Sequence, residues 1–167
     1  MKRILTLAVF MMLMTATYAQ KQTNYQFKFE YAMDLETDKE TECDVVFDIS
    51  DRPGETPVFV MVNNTSGDTT REELKPTVIY AKENEMIYFS NTAGDSLYGF
   101  SINTDDNGAK SCILFVLDVE NGEPKIQYGL TNETGSPNDQ QCMQTYQALL
   151  KNVKADSFNN FTIESLN

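Results

Sequence analysis

The sequence predicts a mainly β fold: an antiparallel meander of about eight short strands, bent into a barrel-like or strongly curved sheet. A C-terminal amphipathic helix and a final strand complete it. Three observations carry this expectation. Short stretches of alternating polar and apolar residues recur between residues 24 and 130. Most are joined by turn-forming residues at hairpin spacing. After residue 136 the apolar period changes once, from two to that of a helix.

The first strand is "NYQFKFEYAM", residues 24–33, with Tyr25, Phe27, Phe29, Tyr31 and Met33 on one parity. An aromatic row of this kind is expected to be core rather than ligand surface. "ECDVVFDI" alternates next, with Cys43, Val45, Phe47 and Ile49 on its apolar side. "RPG" at 52–54 breaks the chain. "PVFVMV" is apolar on both faces, as in a central or covered strand. "NNTSGDTTREELKP" reads as a long polar connection with a short helical turn at Thr70 to Leu74. "TVIYA" and "MIYFS" flank "KENE" as a hairpin, and "LYGFSI" and "CILFVLDV" follow. Asn121-Gly122 is a two-residue hairpin signal leading into "KIQYGL". Ser136 is the expected N-cap of the helix, Pro137 its first residue, and Asp139 completes a variant capping box. Met143, Tyr146, Leu149 and Leu150 form its docking stripe, and "FNNFTIESL" closes the chain as a ninth strand.

Residues 1–19 have the pattern of a secretory signal peptide. Lys2 and Arg3 precede the apolar run Ile4 to Met14, and Thr17 and Ala19 occupy the small-residue positions of a cleavage site. That run is too short to span a bilayer, which takes about 20 residues. Gln20 stands where a lipoprotein would carry its cysteine. The expectation is therefore an exported protein, periplasmic or extracellular, without a lipid anchor. Residues 20–167 are the size of one domain.

Without Lys2 and Arg3, 11 basic and 25 acidic side chains remain, a formal charge of −14. Such a surface repels nucleic acid and anionic headgroups. The expected strands are also too short for an outer-membrane barrel, so no stable membrane insertion is expected. The chain has no histidine, which removes Ser-His-Asp and Cys-His catalysis and any histidine pH switch. No Gly-rich phosphate loop is present, and three cysteines without a C-x-x-C pair make a poor zinc site. A glycosidase-type pair of carboxylates, acid and base, stays compatible with the composition, its pairing depending on the fold.

Four small motifs supply candidate sites. "NTDDNG" places Asn103, Asp105 and Asn107 before Gly108, the spacing of half a calcium loop, but Leu114 stands where the twelfth-position Glu belongs. A hairpin turn explains the same residues. "DTT" and "DSL" resemble a bacterial O-glycosylation acceptor and make Thr69 and Ser96 modification candidates. Asn63, Asn64, Asn132 and Asn160 begin Asn-x-Ser/Thr sequons. Cys112 and Cys142 are the disulfide candidate, with Cys43–Cys112, Cys43–Cys142 and no bridge as alternatives.

Eight strands, a helix and a last strand resemble the element order of lipocalins. The resemblance implies a barrel that could carry a small apolar ligand. The family's early Gly-x-Trp signature has no counterpart, since the chain has no tryptophan. Three function classes follow. The first is an exported, non-catalytic protein that binds a protein or glycan partner or acts structurally. The second is a lipocalin-like carrier, and the third a carboxylate-based hydrolase. Cofactors are not expected, calcium at Asn103, Asp105 and Asn107 being the one candidate.

Overall fold

Strands β1 (Thr23–Asp34), β2 (Lys39–Asp51), β3 (Val58–Asn63) and β4 (Asp68–Ala81) are followed by β5 (Met86–Asn91), β6 (Leu97–Thr104), β7 (Lys110–Leu117) and β8 (Pro124–Gly129). Helix α1 (Pro137–Lys154) and strand β9 (Thr162–Leu166) end the chain. This computed structural model describes residues 23–129 and 137–167. The expected signal peptide, the Ser136 cap and the Asn132 sequon lie outside them. Among the described residues no helix is long and apolar enough to cross a membrane.

Strands β1 to β8 pair antiparallel in sequence order, and β1 pairs with β8, which closes an eight-stranded barrel. Consecutive hairpins therefore alternate between the two ends. The β1–β2, β3–β4, β5–β6 and β7–β8 turns lie at one end. The β2–β3, β4–β5 and β6–β7 turns lie at the other, where α1 packs.

The closure is partial, and this gives α1 its place. β8 meets β1 only from Tyr31 to Asp34, and meets β7 only from Leu114 onward. The first half of β1 and the start of β7 thus lack a strand between them, and α1 packs against both. The Cys142 thiol donates to the carbonyl of Lys28 at 3.1 Å, satisfying an acceptor on that open strand edge. Cys142, Tyr146, Leu149, Leu150 and Val153 are buried, as the helical stripe requires, and Met143 is half-buried at its margin. Gln140, Gln144, Gln147 and Lys151 face water.

β4 changes neighbours along its length. Asp68 to Glu73 pair with β3, and Thr77 to Ala81 pair in parallel with β9. The change falls at Pro76, which has no N–H for a ladder, and the pairing with β5 slips between Leu74 and Val78. The Thr162 hydroxyl donates to the Pro76 carbonyl at 2.9 Å and pins β9 there.

Four sequence expectations are corrected. Thr70 to Leu74 is not a helical turn but part of a 14-residue strand. With β1 and β2 at 12 and 13 residues, three strands exceed the short lengths expected. Shortness therefore does not argue against a membrane barrel, but the outer faces still do. Lys28 of β1 pairs with Asp44 of β2 at 3.5 Å on the outside, beside Gln26, Glu42 and Asp48, where lipid would demand apolar residues.

The aromatic row of β1 is also shorter than its parity suggests. Tyr25, Phe27 and Phe29 are buried in the core, but the register with β2 shifts between Phe29 and Tyr31. Beyond the shift Tyr31 is paired with Gly129, and its ring lies where a side chain at Gly129 would stand. Its hydroxyl accepts from Gln127 at 3.2 Å. Tyr128 points the opposite way, onto Phe29 and Phe47 inside. Tyr31 and Met33 therefore belong to the outer face. Finally, Asn121-Gly122 does not form a two-residue turn. Residues 118–123 form a larger one, in which Asp118 N donates to Glu123 O at 2.8 Å, Gly122 alone takes positive φ (74°), and Asp118 Oδ1 caps Glu120 N at 2.7 Å.

Candidate functional site: the open end of the barrel

The two ends of the barrel are finished differently. At the α1 end the Tyr146 hydroxyl donates to the Glu85 carbonyl in the β4–β5 turn, and Asn152 donates to the Tyr25 hydroxyl. Lys154 pairs with Glu85 at 2.7 Å. Asp51, fully buried, accepts from Asn159 N at 2.7 Å and from Asn160 Nδ2 at 3.1 Å. Asn160 also donates to the Arg52 carbonyl and accepts from Gly54 N at 3.3 Å. These bonds strap the segment before β9 across the β2–β3 turn. Phe158 and Phe161 pack beneath the strap, on Tyr25 and Phe89.

No comparable cover lies over the other end among the described residues. Inward positions there are half-exposed: Cys43 on β2, Met61 on β3, Thr70 and Glu72 on β4, Val116 on β7 and Tyr128 on β8. Their inward direction follows from register. Glu72 is paired with Phe59 and Thr70 with Met61, while Val116 is paired with the buried Tyr98. Beneath them lies an arc of four rings, Tyr128, Phe47, Phe59 and Tyr98, with successive centroids 5.0, 5.4 and 4.3 Å apart. Phe47 and Phe59 are at most 1 % exposed, so the arc is a floor. Below it Phe27, Phe29, Phe89 and Phe100 fill the barrel, with Phe27 and Phe100 centroids 4.6 Å apart. The open end is thus a shallow funnel over a packed interior.

Polar chemistry enters at one side of the funnel. Glu72 Oε2 accepts from the Tyr98 hydroxyl at 2.8 Å, and the Ser96 hydroxyl lies 3.3 Å from Glu72 Oε1 and 3.4 Å from Asp95 Oδ1. One hydroxyl proton serves two carboxylates, so one of these contacts is unsatisfied at any moment. Asp95 also accepts from Asn91 Nδ2 at 2.6 Å, and Asn91 Oδ1 caps the backbone of Gly94, Asp95 and Ser96. Neither Glu72 nor Asp95 has an ion pair among the described residues. Lys75 lies beside Gly94 without reaching a carboxylate. Burial, helped by the Glu72 hydrogen bond, holds the Tyr98 hydroxyl far above the usual tyrosine range. Burial also raises Tyr128, with the Cys43 thiol as a second influence from across the funnel.

The sequence-expected sites are scattered. Asp105 Oδ1 accepts from Asn107 N at 2.9 Å and Ala109 N at 2.8 Å, so this carboxylate is engaged in its own hairpin turn. Asn103 is exposed at the end of β6. Thr69 is exposed on β4, whereas Ser96 is half-buried in the carboxylate network just described. Asn63 and Asn64 cap the β3–β4 turn and bond Asp44, respectively. Cys43, Cys112 and Cys142 are free thiols. Cys112 and Cys142 are both buried where α1 crosses β7, and burial first, then the neighbouring Cys142, pushes the Cys112 thiol well above its ordinary range. Met61, Glu72, Tyr98 and Tyr128 carried no motif in the sequence. The one available signal was the polar run through β4, read as loop.

Two other depressions open on the outer surface. One of about 370 Å³ runs beside Gln147, Lys151 and Lys154 of α1. The other, about 420 Å³, occupies the notch between β3 and β9 near Pro57, Pro76 and Thr92. The notch has Asn160 as a wall, with its amide already engaged by Asp51, Arg52 and Gly54. No family model, curated protein or solved structure matches the chain.

Proposed function

We propose that this is an exported, non-catalytic binding protein that engages another macromolecule through the open end of its barrel. The observation that carries the reading is the arc Tyr128–Phe47–Phe59–Tyr98, which floors the barrel and leaves a shallow recess. A recess of this depth, rimmed by hairpins, suits a protruding group of a larger partner, a protein or a glycan, better than an engulfed molecule. The signal-peptide pattern of residues 1–19 supports export to the periplasm or beyond. The charged outer faces of β1 and β2 support a protein that works in water.

The second reading is a carrier of a small apolar ligand. The half-exposed, inward-facing Met61, Val116 and Tyr128 favour it. A third, carboxylate-based hydrolysis, draws on the approach of Glu72 and Asp95 to one hydroxyl. Native mass spectrometry of the mature protein from its exporting host separates the first two. The proposed function expects a bare protein mass, and a stoichiometric apolar molecule that survives purification would move the assignment to the carrier.

A further inference from the structure

We propose that the funnel receives a lysine or arginine side chain carried on an extended, basic segment of a partner protein. This rests on the reading of the open end as the binding end, and adds the chemistry of what enters it. The apolar wall comes first. Met61, Val116 and Tyr128 present half-exposed apolar surface above the ring floor, on which an aliphatic stem can lie. Beside that wall stands Glu72, a carboxylate with no ion pair among the described residues, which shares the Ser96 hydroxyl with Asp95. A stem lying on Met61 with its cation at Glu72 is how long basic side chains divide themselves between apolar and charged surroundings. The half-exposed Tyr128 ring at one end of the arc adds a favourable face for a cation.

The rim extends the same charge pattern over a wider area, which is why the occupant is a polypeptide rather than a single amine. The four turns around the funnel, residues 35–38, 64–67, 92–96 and 118–123, contain Glu36, Asp38, Asp95, Asp118, Glu120 and Glu123 and no Lys or Arg. Among the described residues, Asp118 alone of these is ion-paired, to Lys125 at 2.5 Å. The turns at the α1 end, residues 52–57, 82–85 and 105–109, are less acidic, with Arg52 and Lys82 set against Glu55, Glu83, Glu85, Asp105 and Asp106. A basic segment is therefore steered to one end and held there by its anchor side chain.

The test is titration of the mature protein, observed by amide NMR, with a lysine-rich peptide, the same peptide with every lysine acetylated, and a glutamate-rich peptide. The lysine-rich peptide should shift the resonances of Met61, Glu72, Tyr98 and Tyr128, bind less tightly as salt rises, and lose affinity about tenfold in Glu72→Gln, as truncating one partner of a partly desolvated charge pair implies. Gln keeps an acceptor for Tyr98, so the fold should persist. Met61→Trp fills the recess without changing charge and should weaken binding as well, which keeps the test decisive if Glu72→Gln fails to fold. Unchanged affinity in both variants, or shifts spread evenly over the acidic surface, overturns the proposal. So does equal binding of the acetylated peptide at the same residues, though that result would leave the open end as a binding site. Absence of any shift there with all three peptides removes both the ligand chemistry and the assignment of the open end.

Discussion

The same barrel ends in two ways. At one end α1 fills the space between β1 and β7, and the Asp51–Asn159–Asn160 bonds fasten the segment leading into β9. Buried side chains and satisfied hydrogen bonds meet there with little left over. At the other end, inward-facing side chains stop half-exposed, two carboxylates share one hydroxyl, and the turns carry an excess of negative charge. The first arrangement is what stability alone would produce. The second leaves apolar surface wet and charge unpaired, which stability alone does not favour. The difference is what favours the open end as the binding end in the proposed function.

Substitutions should separate the ends by size of effect. Phe29→Ala and Leu149→Ala remove fully buried side chains, one in mid-barrel beneath the ring arc and one on α1. Losses of about 3–5 and 2–5 kcal/mol, respectively, are expected in chemical denaturation. A loss below about 1 kcal/mol for Leu149→Ala would mean that α1 does not close its end. Asp51→Ala should come next, at about 1–3 kcal/mol, because it leaves Asn159 N–H and the Asn160 amide without their acceptor. Hydrogen exchange should quicken at the β4 amides that face β9. Unchanged exchange there would show that the strap does not hold β9.

Alkali should weaken both ends. Burial raises the hydroxyls of Tyr25 and Tyr146 at the capped end and of Tyr98 and Tyr128 at the open end. Below the ordinary tyrosine value of about 10 both folded and unfolded chains keep these protons, and stability is unaffected. As pH rises past about 10 the unfolded chain ionises first and stability falls. Denaturation midpoints that stay level between neutral pH and strong alkali would contradict the burial of these rings. The smallest effect belongs to Met61→Ala, which should change stability by less than about 1 kcal/mol because the side chain is only half-buried at the mouth. A core-sized loss would mean that the funnel is part of the packed interior.

Legibility in the sequence follows the same division. The capped end was readable because α1 obeys one physical rule: Tyr146, Leu149 and Val153 recur at helical spacing and are all buried. Val45, Phe47 and Ile49 alternate on β2 and are likewise buried. The open end was misread along β4. Thr70 and Glu72 take inward positions that an ordinary strand would fill with apolar residues, so the strand read as a loop. Tyr31 was misplaced for another reason. A register shift at Glu30 reverses the alternation of β1, and no local signal distinguishes that position from the regular strand before it. Closure of the barrel, the parallel pairing of β9 and the Glu72–Ser96–Asp95 contact join segments far apart in the chain, and no local pattern encodes them.

The three native cysteines test the contrast most directly, since each reports on one end. Cys43 is half-exposed in the funnel, while Cys112 and Cys142 are at most 1 % exposed where α1 meets β7. Pre-reduced mature protein would be treated with a thiol alkylating agent under native conditions, and modification followed over time by peptide mass spectrometry. Cys43 should be modified first, with Cys112 and Cys142 protected until the chain unfolds. Protection of Cys43 equal to that of Cys112, or modification of Cys142 as fast as that of Cys43, would contradict a barrel sealed at the helix end and open at the hairpin end.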